Sequence, residues 1–168
     1  YQSQVIRQKS KKVSYESYFF PLDGLKNWNL VYGSRGFIQY QFVVPMDCSL
    51  EAITIILKKI SDAGKAPALS VLKKFVRGND NYLSFPEAGY TLAMDFKRDA
   101  TLLPMLDELD EIVLSYGGRQ YLAKDARMSE QVFKKSYRNW EKFISVKAKY
   151  DPKNIFASQQ SRRLGLTN

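Results

Sequence analysis

Phe37-Ile38-Gln39-Tyr40-Gln41-Phe42-Val43-Val44 alternates so that Phe37, Gln39, Gln41 and Val43 fall on one face of a strand and Ile38, Tyr40, Phe42 and Val44 on the other. The second set is apolar throughout, while the first carries two glutamines. Such a strand suits an antiparallel sheet with one face on a core and one face open. An amide flanked by aromatics both donates and accepts hydrogen bonds, which fits a polyhydroxylated ligand; facing water on an open sheet is the equally weighted alternative.

Downstream, Ser49–Ala63 carries Leu50, Ile53, Leu57 and Ile60 at helical spacing, with Ser49 placed to cap, Glu51 in the first turn, Lys58 and Lys59 near the end and Gly64 as the stop. Ala68–Val76 reads as a strand containing Lys73 and Lys74. A loop over Arg77–Ala88 leads to a further strand at Tyr90–Phe96. Leu102, Leu106, Leu109, Val113 and Tyr116 then mark a second amphipathic helix, with Thr101 as its cap, Pro104 tolerated in its first turn and Gly117 ending it. A strand around Gln120–Leu122 completes the series. The order β-α-β-β-α-β predicts an α+β fold, a ferredoxin-like antiparallel sheet with both helices on one face. Ser129–Tyr137, Asn139–Lys149 and Ser158–Leu164 read as a C-terminal helical tail. Upstream, Val13–Phe20 has the aromatic content of a strand, Pro21-Leu22-Asp23-Gly24 breaks it, and Leu25–Tyr32 forms a short helix or turn carrying Trp28. Residues 1–12 are polar and basic, a linker or a truncated edge; a start at Tyr1 with no Met points to a piece of a longer protein.

At 168 residues with 45% hydrophobic content the chain can bury one substantial core. No apolar run approaches the roughly 18 residues of a membrane span, and nothing reads as a secretory signal. Lys plus Arg exceed Asp plus Glu by 26 to 17, a formal charge of +9 that favours anionic partners such as nucleic acid, phosphorylated ligands, an anionic membrane surface or an acidic companion domain. With no His and the single Cys48, the common zinc sites, the Ser-His-Asp triad and the Cys-His pair cannot be built, so no metal site is expected.

Gly117-Gly118-Arg119-Gln120-Tyr121-Leu122-Ala123-Lys124-Asp125 is the stretch with chemical promise. It stops a helix, makes a short strand and presents an ammonium three residues after a tyrosine, a pair suited to an electron-rich ligand. A solvated lysine beside a packed tyrosine is the plainer reading of the same residues. The fold also invites RNA binding, because RNA-recognition modules share the βαββαβ order and stack bases on sheet aromatics. Here the aromatic segment lies on the first strand of the unit, and glutamine replaces the central stacking residue, which counts against it.

Phe20-Pro21-Leu22-Asp23, Trp28-Asn29, Tyr32-Gly33 and Arg35–Pro45 resemble the carboxy-terminal half of flavin oxidoreductases of the vanillyl-alcohol-oxidase superfamily. Within it the likeness is to the decaprenylphosphoryl-β-D-ribose 2′-oxidases, with sugar-1,4-lactone oxidases as wider relatives. It continues through Leu83-Ser84-Phe85-Pro86, Gly117–Asp125, Asp151-Pro152-Lys153-Asn154-Ile155-Phe156-Ala157-Ser158 and Arg162-Arg163-Leu164. The resemblance implies a substrate-binding α+β domain over residues 13–122 and a tail, 123–168, that returns to an amino-terminal FAD-binding domain of the same parent chain. FAD would be held mainly by that other half, so this chain alone should be inactive.

By position the resemblance gives Lys124 a catalytic, flavin-contacting role and places Tyr121 in the same pocket. It makes Gln39, Gln41, Lys73 and Thr91 substrate-binding residues, Gln41 being the better candidate for a sugar hydroxyl. The family's asparagine and cysteine on the strand over Tyr90–Phe96 are Thr91 and Ala93 here, so reagents aimed at that cysteine would find no nucleophile. The implied reaction oxidises a secondary hydroxyl of a sugar, of the decaprenylphosphoryl-ribose kind, to a ketone. The implied partners are a sugar or prenylphosphoryl-sugar and the flavin domain, without nucleic acid; the setting is cytoplasmic or peripheral at the inner membrane. The contrasting hypothesis is a stand-alone ferredoxin-like module for RNA or an anionic ligand.

Overall fold

The computed structural model describes residues 12–167, apart from Leu22 and Leu25. The reading of residues 1–12 therefore lies, but for Lys12, outside the described residues. Four strands, β1 (Phe37–Pro45), β2 (Leu69–Phe75), β3 (Gly89–Lys97) and β4 (Arg119–Gln120), form one antiparallel sheet in the order β2-β3-β1-β4. Helices α2 (Ser49–Asp62) and α3 (Leu102–Ser115) connect β1 to β2 and β3 to β4. This is the predicted βαββαβ arrangement.

The alternation of β1 decides which side is covered. Tyr40, Phe42 and Val44 are buried with Leu92, Met94 and Phe96 of β3 under Ala52, Ile56 and Ile60 of α2 and Leu102, Met105, Leu106, Leu109 and Val113 of α3. Both helices thus lie on one face, as expected. The stripe predicted for α2 is rotated, however. Leu50 is 85% exposed and Leu57 is also exposed, while Ser49 and Ala52 line the sheet contact. Small residues there let the helix approach the sheet closely, and the larger side chains are turned outward.

Ser49 does not cap this helix. A 3-10 turn, Met46–Cys48, runs straight into it, so Ser49 already has helical dihedrals and its hydroxyl donates to the Pro45 carbonyl at 2.6 Å. Thr101 occupies the position before α3 without a capping bond of its own; its N–H and hydroxyl both donate to Asp99. Gly117 ends α3 as expected, in the left-handed region at φ 70°.

Two elements differ from the sequence reading. The strand expected at Val13–Phe20 is instead a short helix, α1 (Tyr15–Phe19), started by Ser14, whose hydroxyl oxygen accepts the Ser17 N–H at 3.2 Å, with Glu16 in its first turn. Aromatic content favours a strand only where a sheet packs against it; α1 buries none of its residues, so the local cap decides. The last strand is only Arg119–Gln120, paired with Val43 and Phe42, and Leu122–Lys124 turns as a 3-10 helix.

The tail contains α4 (Glu130–Ser136), α5 (Trp140–Tyr150) and α6 (Gln159–Arg163). Met128, Val132, Phe133, Tyr137 and Leu164 build a second core against Leu83 and Leu114 of the α+β unit. No helix among the described residues is long and apolar enough to cross a membrane.

Candidate functional site on the open sheet face

Strand register places the candidate residues. Gln39 lies opposite Asp95, Gln41 opposite Ala93 and Val43 opposite Thr91, and Thr91 in turn opposes Lys73 of β2. Residues directly opposite share a face, so all of these project away from the two helices. Beyond β4, the Tyr121 N–H donates to the Gln41 carbonyl at 2.8 Å and continues the ladder by one residue.

The 3-10 turn after Tyr121 then folds the chain back over β1. Lys124 N–H donates to the Tyr121 carbonyl at 2.9 Å, and Lys124 Nζ donates to Gln39 Oε1 at 2.8 Å. The other end of that amide, Gln39 Nε2, donates to Asp95 Oδ1 at 2.9 Å, and Tyr32 OH donates to Asp95 Oδ2 at 3.0 Å. Four side chains from four separate segments thus form one string. Burial, together with the hydrogen bond to Asp95 and its charge, pushes the Tyr32 phenol above its ordinary pKa. Among the described residues Lys124 forms no ion pair, which leaves an ammonium with donors to spare.

Beside the string, Gln41 is only 7% exposed and its Nε2 donates to Thr91 Oγ1 at 3.1 Å. Tyr121 stacks on Phe85, ring centroids 4.4 Å apart at 24°, and Phe85 meets Phe75 edge-on at 5.9 Å. Of the sequence candidates, Lys124 and Gln39 are therefore in direct contact, Gln41, Thr91 and Tyr121 form an adjoining group, and Lys73 shares the face but makes no hydrogen bond or ion pair among the described residues. Lys73 sits on the exposed edge strand β2. Ala93 faces the same side, so no thiol is present there; Cys48 lies by the helices, its Sγ near the Pro45 and Tyr116 carbonyls. Of the aromatics in Arg35–Phe42, the segment that imitates a base-stacking signature, Tyr40 and Phe42 are buried in the core, while Phe37 is half-buried on the open face and stacks on Tyr32.

Sequence reasoning missed Asp95, Tyr32 and Phe85. The signal for Asp95 was available: Thr91, Ala93 and Asp95 alternate onto the glutamine face, and a carboxylate in an otherwise uncharged stretch of strand asks for a partner. Tyr32 and Phe85 come from irregular segments, where no periodicity assigns a direction.

The turn carrying Lys124 is braced by the tail. Asp125 Oδ1 accepts the Arg127 and Met128 N–H groups at 2.9 and 2.7 Å, and its Oδ2 accepts Arg163 at 2.8 Å and Gln160 at 3.3 Å. Gln160 also donates to the Leu122 carbonyl at 2.7 Å. Burial by itself would raise the Asp125 carboxyl, but these donors outweigh it and hold the group below the usual carboxylate range. On the helix side, Asp110 accepts Tyr40 OH at 2.9 Å, Gln120 Nε2 at 2.8 Å and Arg127 at 2.7 Å, which ties the same turn to the core.

Residues 34–164 match the family model described as D-arabinono-1,4-lactone oxidase. The chain belongs to the D-arabinono-1,4-lactone oxidase family. Among relatives, it is 39% identical over 158 residues to the decaprenylphosphoryl-beta-D-ribose oxidase of Mycolicibacterium smegmatis, covering 94% of this chain and 34% of that protein. It is 35% identical over 133 residues to a protein of Streptomyces coelicolor described as an uncharacterized protein in the mprA 5′ region, covering 79% of this chain and 36% of that one. The chain spans about a third of the length of these relatives. Within the lactone oxidase family match fall β1 to β4, the Lys124 turn and most of the tail, so the whole string except Tyr32 lies in matched sequence.

Proposed function

We propose that this chain is the carboxy-terminal, substrate-binding portion of an FAD-dependent oxidoreductase that oxidises a secondary hydroxyl of a sugar, of the decaprenylphosphoryl-ribose kind, to a ketone. On this reading residues 13–122 form the substrate platform, and 123–168 return to a flavin-binding domain of the same parent chain. The observation that carries it is Lys124: an ammonium held on the open sheet face by Gln39, with no carboxylate paired to it among the described residues.

That donor set fits the electron-rich edge of a flavin. Among the described residues the ammonium has one protein acceptor, so two N–H bonds are free for ring or substrate oxygens. Tyr121, kept flat by its stack on Phe85, adds an aromatic wall. FAD, when bound, supplies an acceptor for the hydride leaving the carbinol carbon. Lys124 then provides fixed positive charge where negative charge develops, and needs little reorganisation because Gln39 already holds it. Gln39 and Lys73 line the face along which a sugar and an anionic phosphoryl group would lie, and the fully buried Thr91 acts from beneath by holding the Gln41 amide. The +9 charge suits a prenylphosphoryl substrate and association with an anionic membrane surface at the cytoplasmic side.

The test is anaerobic. The full-length flavoprotein containing this chain is scanned for flavin absorbance before and after addition of a prenylphosphoryl-ribose analogue, and bleaching is the expected result. A bound flavin that stays oxidised redirects the substrate to sugar lactones, and a protein that carries no flavin overturns the reading.

A further inference from the structure

We propose that Asp95, with Tyr32 behind it, positions Lys124 by fixing which way the Gln39 amide points; this rests on the role given to Lys124 above.

A glutamine has one accepting and one donating end, whereas an ammonium only donates. If Gln39 turned its Nε2 toward Lys124, two donors would confront each other, and the ammonium would lose its place. A carboxylate removes that choice because it only accepts. Asp95 Oδ1 takes the Gln39 N–H at 2.9 Å, so the carbonyl oxygen is left facing Lys124 Nζ at 2.8 Å. The second oxygen, Oδ2, is taken by Tyr32 at 3.0 Å, which fixes the carboxylate in turn.

Two further observations favour positioning over packing alone. Asp95 is 6% exposed, yet among the described residues it has no cationic partner, only these two neutral donors. Burying a carboxylate this way is unfavourable compared with an apolar side chain, and Ala93, the next residue on the same face, is apolar. Tyr32 is itself immobilised. Its ring stacks on Phe37 with centroids 4.1 Å apart at 22°, and Trp28 meets both rings edge-on. The 3-10 turn Trp28–Tyr32 must therefore be docked before Asp95, Gln39 and Lys124 fall into line. Hydrogen bonds that orient metal ligands change activity by about 10–100-fold, and an effect of that order is expected for the amide that orients Lys124.

The chain labelled with [15N]glutamine gives a readout that does not depend on turnover. The Gln39 side-chain NH2 pair, assigned by its loss in Gln39→Leu, should exchange slowly with solvent in the wild type and rapidly in Asp95→Ala. Asp95→Asn should restore the protection only in part, because its amide can accept from Gln39 but, unlike a carboxylate, can also turn a donor toward it. In the full-length flavoprotein the same series should lower the flavin-reduction rate about 10–100-fold in Asp95→Ala, with substrate affinity nearly unchanged and part of the rate recovered in Asp95→Asn. Protection of Gln39 that survives Asp95→Ala overturns the proposal, as does lost protection with an unchanged reduction rate. Should Asp95→Ala fail to fold, Tyr32→Phe, which keeps the ring stack, must still speed exchange of the Gln39 amide several-fold; unchanged exchange overturns the proposal. A wild-type flavoprotein that reduces no flavin defeats the functional reading instead, and the exchange result continues to decide whether Asp95 sets the amide.

Discussion

Lys124 Nζ and Gln39 Oε1 meet at 2.8 Å across a sequence separation of 85 residues, and the contact exists because β4 pairs with β1 for only two residues before the chain turns back. Continued in the same register, β4 would place Lys124 opposite Ile38, on the face covered by the helices and not beside Gln39. The brief strand and the 3-10 turn that follows it are therefore as much part of the candidate site as the side chains.

Lys124→Ala in the full-length flavoprotein should slow flavin reduction by about 10²–10³-fold, the usual consequence of removing one preorganised group that stabilises developing charge. Thermal stability should move little, because Lys124 is half-buried and bonded through its side chain only to Gln39. Anaerobic stopped-flow absorbance measures the rate. Wild-type reduction in a folded variant would remove Lys124 from the mechanism.

Thr91→Val tests the neighbouring pair. Thr91 is fully buried and accepts from Gln41 Nε2 at 3.1 Å. The substitution preserves shape but leaves the buried amide donor without its acceptor, a loss of about 1–3 kcal/mol. Urea unfolding should show a lower midpoint at unchanged slope; an unchanged midpoint would mean that Gln41 finds another partner.

Asp125→Asn should loosen the tail in a pH-dependent way. The folded Asp125 carboxyl lies below its unfolded value of about 3.9, so its contribution is fully present above that pH and is lost as pH falls through the folded pKa. The carboxylate is 5% exposed and Arg163 is 29% exposed, and removing one partner of such a half-buried pair costs on the order of 2–4 kcal/mol. The stability gap between wild type and Asp125→Asn, measured by denaturant titration, should be large at pH 7 and shrink toward pH 3. Asp110 acts in the opposite sense: burial, outweighing Arg127, raises its carboxyl, so its share of stability declines as pH rises. A gap that stays constant from pH 7 to pH 3 would show that the charge of Asp125 is not what holds the tail.

Gly118→Ala should be among the most damaging single-methyl changes. A Cβ there would overlap the Val43 carbonyl oxygen and crowd the side chains of Val113 and Val44, all three fully buried residues. The expected loss is about 3 kcal/mol or more, because backbone must move to admit it. Soluble expression with a wild-type melting temperature would contradict this close approach of β4 to β1.

Much of the fold could be read directly because each half of the βαββαβ unit repeats a period. In β1 a two-residue alternation separated Tyr40 and Phe42 from Gln39 and Gln41, and the sheet buries the first pair beneath the helices as that alternation requires. In α3 a helical stripe ending at Gly117 marked both the element and its stop. The errors fell where period carries no direction. In α2, Leu50 and Leu57 satisfy the same spacing as the buried residues, and only the closeness of the helix to the sheet selects Ser49, Ala52 and Ile56 instead. At Val13–Phe20 aromatic composition suggested a strand, but among the described residues no neighbour supplies a ladder, and the Ser14 cap makes a turn of helix.

What the sequence by itself determined is the order of elements, the face on which the glutamines lie and the family to which the chain belongs, since these follow from local periodicity and from ordered motifs between residues 34 and 164. What only the tertiary structure decided is the string Lys124–Gln39–Asp95–Tyr32, whose members come from the β4 turn, β1, β3 and the turn before β1. Its hydrogen bonds depend on strand register, and register is set by which faces find a core to bury, a property of the assembled sheet and not of any one segment.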